Sequence, residues 1–202
     1  MKPPTSGKKV AVLISGRGSN LGALIAAQDD SYKIILVLSN VEGAAGLDKA
    51  RAAGIATQVI PHSGKTREDF DAEMDAALRA ASPDIVVLAG FMRILSDGFV
   101  RGWEGKLINI HPSLLPAYKG TKVHERVIAA REAQSGASVH FVVPELDAGP
   151  VIAQATVPVH PDDTPQMLAD RVLEVELKLY PEALKLLACD GVTLKKGMAV
   201  FS

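Results

Sequence analysis

Apolar residues occur in short runs along the chain, and most of the segments between these runs have a helical periodicity. The runs are rich in Val, Ile and Leu, which favours buried strands. Strands are predicted at residues 10–14, 34–38, 58–60, 85–88, 107–110 and 138–143. Helices are predicted near residues 20–28, 43–53, 66–80 and 123–134, with Gly54 as the C-terminal cap of the second.

The last quarter of the chain predicts a long helix and a hairpin. The helix should begin where Thr164 precedes Pro165, since these residue types favour the N-cap and the first helical position. Its apolar positions form a single stripe that should lie across the sheet, namely Leu168, Val172, Val175, Leu179, Ala183 and Leu186. Two short apolar segments at residues 192–194 and 198–201 predict a terminal hairpin, and residues 3–7 predict an irregular N-terminal segment.

The alternation of strands and helices predicts an α/β fold. We expect a mostly parallel, twisted sheet with helices on both faces and a Rossmann-like N-terminal half. A chain of 202 residues with 48% hydrophobic residues is long enough to bury a core of its own, so one domain is expected.

Composition restricts the partners of this protein. The formal net charge is -1 and the basic residues are scattered, so the chain lacks the positive stripe that binds nucleic acid. The first apolar run ends at Ser15 and is too short for a signal peptide or a membrane span. The single cysteine, Cys189, cannot form an internal disulfide. We therefore expect a cytoplasmic protein without a membrane or nucleic-acid partner.

A glycine-rich segment lies between the first predicted strand and the first predicted helix. Backbone N–H groups converge on an anion at such a helix start, and Ser19 and Asn20 add side-chain donors. The candidate phosphate-binding residues are Gly16, Arg17, Gly18, Ser19 and Asn20. A dinucleotide is disfavoured, because Leu21 replaces the third glycine of that fingerprint and Ser39-Asn40 replaces its acidic residue. A tight turn with a helix cap remains the alternative.

A pair of polar side chains marks the end of the fifth predicted strand. Strand alternation places Asn109 and His111 on one face, at the edge where α/β sheets bind ligands. Asp147 lies in a turn-forming segment from which its carboxylate could reach this edge and stabilise a protonated imidazole as a proton donor. The alternatives are turn or cap roles for Asn109 and Asp147, and a buried, satisfied imidazole for His111. Ser113 lacks a nucleophile elbow and the histidines lack metal-ligand spacing, so neither serine hydrolysis nor a metal site is predicted.

Five segments of the chain carry distinctive motifs, at residues 12–21, 88–95, 109–116, 138–142 and 146–150. Together these motifs resemble the phosphoribosylglycinamide formyltransferases. The similarity runs in order from about residue 8 to residue 194. It implies the formyltransferase fold in a single domain, with a nucleotide-binding half at about residues 8–100 and a folate-binding and catalytic half at about residues 101–202.

This resemblance also implies an activity and a set of roles. A formyl group would pass from 10-formyltetrahydrofolate to the amine of 5-phosphoribosylglycinamide in purine synthesis, without a metal. The catalytic residues would be Asn109, His111 and Asp147, the loop at residues 16–20 would hold the phosphate, and Glu176 would contact the ribose. From periodicity alone, Glu176 is instead predicted to be a solvated helix residue. The implied folate-binding residues are Arg67, Met92, Arg93, Ile94, Leu95, Asn109, Val143 and Asp147.

The chain departs from the family pattern at two places. Ser135-Gly136 stands where members of the family commonly have His-Gly, and the loop at residues 119–124 is atypical, so loop closure and contacts to substrate are expected to differ.

Three other functions stay open. A methionyl-tRNA formyltransferase should carry an added basic RNA-binding domain, and a formyltetrahydrofolate hydrolase should carry a regulatory domain before the catalytic part. A non-catalytic nucleotide-binding module would not need the three candidate catalytic residues. Both a monomer and a homodimer are compatible with the sequence.

Overall fold

A seven-stranded sheet forms the centre of the computed structural model, which describes residues 7–202. The predicted irregular segment at residues 3–7 lies, apart from Gly7, outside the described residues. The strands are β1 (Lys8–Ile14), β2 (Tyr32–Ser39), β3 (Ala56–Val59), β4 (Ile85–Leu88), β5 (Leu107–His111), β6 (Gln134–Phe141) and β7 (Val151–Pro158). Their order is β3-β2-β1-β4-β5-β6-β7; the β5–β6 and β6–β7 pairs are antiparallel, and the other four pairs are parallel. The predicted α/β fold with a mostly parallel sheet is therefore confirmed.

Helices cover both faces of this sheet. They are α1 (Ser19–Ala26), α2 (Ala45–Ala52), α3 (Arg67–Ala81), α4 (Asp97–Gly102), α5 (Val123–Ala129) and α6 (Pro165–Ala188), and a hairpin of β8 (Val192–Lys195) and β9 (Met198–Phe201) follows. Side chains of α1, α2, α5 and α6 build the core on one face, and those of α3 and α4 build the core on the other. Among the residues that the structure describes, no helix is both long and apolar enough to cross a membrane.

The predicted helix ends follow from their capping residues. Gly54 has φ 70° and its N–H donates to the carbonyl of Arg51 at 2.9 Å, which terminates α2. The hydroxyl of Thr66 accepts from the N–H of Asp69 at 3.1 Å and begins α3. Thr164 caps α6 in the same way, with Pro165 as the first helical residue.

Two predicted boundaries around β6 were wrong. The helix predicted at residues 123–134 ends at Ala129, and the strand predicted at residues 138–143 begins at Gln134 and ends at Phe141. The first half of β6 gains its strand conformation by pairing with β7, from Gln134 opposite Pro158 onwards. Tertiary pairing thus overrides a local sequence with weak strand propensity.

Three further features depart from the sequence prediction. Neither the short helix α4 nor the edge strand β7 was predicted, since α4 has only six residues and β7 buries little more than Ile152 and Val157. Leu186 is 36% exposed instead of belonging to the buried stripe of α6, whereas Leu187 is 7% exposed. A stripe that repeats every 3.5 residues drifts around a straight helix, and here the drift moves burial to the next residue.

Candidate active site

A cavity of about 660 Å³ opens at the carboxyl ends of the parallel strands. Its walls come from the segment after β4, the end of β5, the loop after β6 and the start of α6. Asn109, His111 and Asp147 all line it. The residues that the sequence singles out as catalytic are therefore brought together at one cavity, as expected for the ligand edge of an α/β sheet.

His111 is held between a carbonyl and a carboxylate. Its Nε2 lies 2.9 Å from the carbonyl oxygen of Tyr118, and its Nδ1 lies 3.5 Å from Oδ2 of Asp147. A carbonyl oxygen can only accept, so Nε2 carries the hydrogen of the neutral ring. Protonation consequently takes place at Nδ1, the nitrogen that faces Asp147.

Asp147 adopts a conformation that is uncommon for residues other than glycine. Its φ is 48°, in the left-handed region that Asp and Asn tolerate better than most side chains. Oδ2 accepts the N–H of Gly120 at 2.8 Å, and Oδ1 lies 3.8 Å from Nε2 of His140. The carboxylate therefore contacts two imidazoles and also holds the loop at residues 118–122 over the site.

Asn109 is oriented by a histidine that the sequence analysis did not assign to the site. Nδ2 of Asn109 lies 3.3 Å from Nε2 of His140, whose Nδ1 donates to the carbonyl of Phe141 at 2.9 Å. Burial lowers the pKa of His140, despite the opposing effects of the Phe141 carbonyl and Asp147, so the ring is neutral at neutral pH. Its Nε2 lone pair then accepts one amide N–H of Asn109, which leaves the second N–H for a ligand.

A third histidine also lines the cavity. His124, in the first turn of α5, is half-buried, and its Nδ1 has no hydrogen-bond partner within residues 7–202. Burial, with a smaller contribution from His111, lowers the pKa of His124. Neither His124 nor His140 could be assigned from spacing, because their placement depends on the docking of α5 and the register of β6.

The glycine-rich segment forms a tight turn before α1. Gly18 has φ 67°, and a Cβ atom built there would lie 2.7 Å from the Cα of Gly46. Because the N-cap is a glycine, no side chain in the described part of the chain caps the first turn of α1. The N–H groups of this turn, which begins at Ser19, are thus available to an anion. Gly16 and Arg17 are exposed at the same turn.

Glu176 is buried, contrary to the solvated position that its periodicity predicts. It is 9% exposed on α6, and its Oε2 accepts from Nδ2 of Asn20 at 2.8 Å. Burial raises the pKa of Glu176, and the hydrogen bond from Asn20 opposes this effect in part. Oδ1 of Asn20 has no partner among the described residues. A carboxylate and an amide oxygen are therefore placed beside the glycine-rich turn.

Most of the candidate folate-binding residues line the cavity. Met92, Arg93, Ile94, Leu95 and Val143 all do so, and the Met92 side chain is 78% exposed. The guanidinium carbon of Arg93 lies 4.9 Å from the ring centroid of Phe70. Arg67 is exposed at the first position of α3 and is not one of the described residues that line the cavity, so its role stays a prediction.

The glycine-rich turn at residues 16–20 lies beside the cavity and does not form part of its lining. The backbone N–H of Ser15 donates to the carbonyl of Gly90 at 3.2 Å, and the N–H of Met92 donates to the hydroxyl of Ser15 at 2.8 Å. The two candidate subsites therefore share a wall.

Comparison with known proteins identifies the family. Residues 8–184 match the family model described as formyl transferase. The chain belongs to the formyl transferase family. The phosphoribosylglycinamide formyltransferase of Escherichia coli is 47% identical over 176 residues, which cover 85% of this chain and 83% of that enzyme. This relative confirms the resemblance carried by the sequence motifs.

Two other members of the family extend the comparison. The trifunctional purine biosynthetic protein adenosine-3 of Bos taurus is 51% identical over 190 residues, which cover 92% of this chain and 19% of that protein. This chain thus spans about a fifth of the length of that relative. The structure of the phosphoribosylglycinamide formyltransferase of Coxiella burnetii matches with a TM-score of 0.92 at 42% identity, over 97% of this chain and 94% of that one. The formyltransferase fold is thereby confirmed.

Proposed function

We propose that this formyltransferase moves the formyl group of 10-formyltetrahydrofolate to the amine of 5-phosphoribosylglycinamide, a step of purine synthesis. The observation that carries the proposal is the meeting of Asn109, His111 and Asp147 at one cavity. The name of the Escherichia coli relative supports the choice of acceptor. Both substrates are small molecules, and the chemistry requires hydrogen-bond donors and acceptors without a metal.

The mechanism follows from the donors at the cavity. The acceptor amine attacks the formyl carbon, and negative charge develops on the formyl oxygen. The free amide N–H of Asn109 and the Nδ1–H of protonated His111 donate to this oxygen, while Asp147 stabilises the charged ring. Water near Asp147 takes up the amine proton, the oxyanion collapses to a carbonyl as the bond from the formyl carbon to folate N10 breaks, and the same water delivers the proton to N10. No covalent enzyme intermediate forms.

Each substrate would contact both halves of the domain. Residues 8–100 would supply the phosphate-binding turn at residues 16–20, and residues 101–202 would supply the catalytic residues. Glu176 would accept hydrogen bonds from the ribose, which fits its buried contact with Asn20. The folate would lie against residues 92–95, Val143 and Asp147, with Arg67 at the outer part of the site.

An acceptor assay tests this proposal. The chain is incubated with 10-formyltetrahydrofolate and one of three acceptors: 5-phosphoribosylglycinamide, water alone, or methionine-charged initiator tRNA. We expect tetrahydrofolate to be released only with the ribonucleotide, together with stoichiometric formylated product. Formate release without an acceptor would instead indicate a hydrolase, and formylated tRNA the RNA-modifying activity. Absence of turnover with all three would overturn the proposal in favour of a binding module.

Glu176→Gln is expected to make the protein more stable and its binding of ribonucleotide weaker. Gln keeps an acceptor for Asn20 but removes a buried charge, so unfolding at neutral pH should require roughly 1 kcal/mol more. The KM for the ribonucleotide should rise about tenfold, because hydrogen bonds to a charged acceptor are stronger than those to a neutral one. Urea unfolding and steady-state kinetics measure the two effects.

The pH dependence of this variant supplies a check. Burial raises the pKa of Glu176, so as the pH falls the carboxyl takes up its proton at a higher pH in the folded protein than in the unfolded chain. The buried charge is then lost in the wild type too, and the stability gain of the variant should shrink towards acidic pH. Glu182→Gln on the exposed side of α6 is the matched control and should change neither quantity. An unchanged KM in Glu176→Gln would remove Glu176 from the proposed ribose site.

A further inference from the structure

Ser15 lies at the carboxyl edge of the sheet, near its centre. The proposed mechanism does not use this residue. It directly follows β1, which lies between β2 and β4. The register places Ile14 opposite Ser39 of β2 and Leu13 opposite Leu88 of β4. Ser15 therefore emerges at the point where the strand order reverses, which is where crevices for ligands open in α/β sheets.

The hydroxyl of Ser15 joins the segments that follow both neighbouring strands. It accepts the N–H of Met92 at 2.8 Å, in the cavity wall after β4, and donates to Oδ1 of Asn40 at 2.6 Å, directly after β2. Asn40 is buried, and its Nδ2 lies 3.1 Å from Nδ1 of His62. The Ser15 hydroxyl is thus both donor and acceptor. Its hydrogen bonds join the segment after β4 to the segment after β2 at the carboxyl edge of the sheet.

We propose that Ser15 is a positioning residue that holds the cavity wall at residues 90–95 against the glycine-rich turn at residues 16–20. The inference rests on the proposed function, because that function assigns one substrate to each of these two segments. Ser15 precedes the turn in the chain, its N–H donates to the carbonyl of Gly90 and its hydroxyl accepts the N–H of Met92, so one residue links the two substrate subsites. Binding of both substrates consequently depends on it, although it contacts neither reacting group.

Hydrogen-bond chemistry explains why a hydroxyl side chain is required there. A hydroxyl can donate once and still accept, whereas alanine can do neither. In Ser15→Ala the N–H of Met92 loses its acceptor and Oδ1 of Asn40 loses its donor. The catalytic groups on β5 and after β6 keep all their contacts, because none of those contacts involves Ser15. The effect should therefore fall on KM and not on kcat.

The experiment compares Ser15→Ala with Ser15→Thr. Steady-state kinetics should show that Ser15→Ala raises the KM of each substrate about three- to tenfold, with kcat within about twofold of wild type. Ser15→Thr keeps the hydroxyl and should restore both KM values to within about twofold. Ser82→Ala is the control, since its hydroxyl donates to the carbonyl of Arg79 at the other end of the fold and should leave both KM values unchanged.

The outcomes separate this inference from the proposed function. An inactive wild type would overturn the function itself, whereas an active wild type with unchanged KM values in Ser15→Ala would overturn only the role of Ser15. A rise in one KM alone would also overturn it, because the two subsites would then be independent. If Ser15→Ala does not fold, Asn40→Ala tests the same link. It removes the acceptor of the hydroxyl but keeps the contact with Met92, and it should raise both KM values by a smaller factor.

Discussion

His111→Ala is expected to lower kcat for formyl transfer about a hundred- to a thousandfold while the protein remains folded. The variant removes the Nδ1–H donor from the proposed oxyanion site, and loss of one such donor typically costs roughly 3–4 kcal/mol of transition-state stabilisation. The side chain lines the cavity, donates to the carbonyl of Tyr118 and lies 3.5 Å from the carboxylate of Asp147, so the core on either face of the sheet does not depend on it. Single-turnover kinetics with saturating substrates measures the chemical step, and circular dichroism verifies the fold.

The control for this variant is a histidine outside the cavity. His160 lies in the turn before α6 and is not one of the described residues that line the cavity, so His160→Ala should keep near-normal kcat. A His111→Ala protein with wild-type turnover would refute the assignment of His111 to the oxyanion site. A large loss in His160→Ala would point instead to a general effect of removing histidines.

The parts of the fold that could be predicted are those whose burial is evident from the local pattern of apolar residues. β1 and β4 are buried on both faces, and their continuous Val, Ile and Leu runs reveal them. The first half of β6 is different, because Gln134 and Ser135 become strand only by pairing with β7. Local propensity cannot report such a pairing, and for the same reason the edge strand β7 was not predicted.

The candidate site divides in the same way. Asn109 and His111 were found from strand alternation, and Asp147 was found from its turn and from the family resemblance. His140 was not assigned, because its contact with Asn109 depends on the antiparallel register of β5 and β6. The role proposed for Ser15 depends on strand order, which the sequence of one chain does not specify. Residues placed by local geometry could be predicted from the sequence, and those placed by pairing between distant strands could not.

Asp147→Asn is expected to lower kcat about a hundred- to a thousandfold, with each KM within about threefold of wild type. The substitution isolates the charge of Asp147 from its other role. Asn keeps an oxygen that can accept the N–H of Gly120, so the loop at residues 118–122 stays docked. Asn also tolerates the left-handed backbone at φ 48°, so the turn is not strained. What is lost is the negative charge beside Nδ1 of His111, which in the proposed mechanism stabilises the protonated ring as it donates to the formyl oxygen.

A second aspartate provides the matched control for this charge. Asp190 has φ 56° and is exposed after α6, outside the cavity, so Asp190→Asn makes the same chemical change in a similar backbone and should leave kcat unchanged. Asp147→Ala should behave differently again, because it also releases Gly120 and should therefore raise KM as well as lower kcat. If Asp147→Asn turned over at the wild-type rate, the carboxylate would serve only to hold the loop. His111 would then lack a partner for its protonated form. Within residues 7–202, no acidic side chain other than Asp147 lies within salt-bridge distance of it.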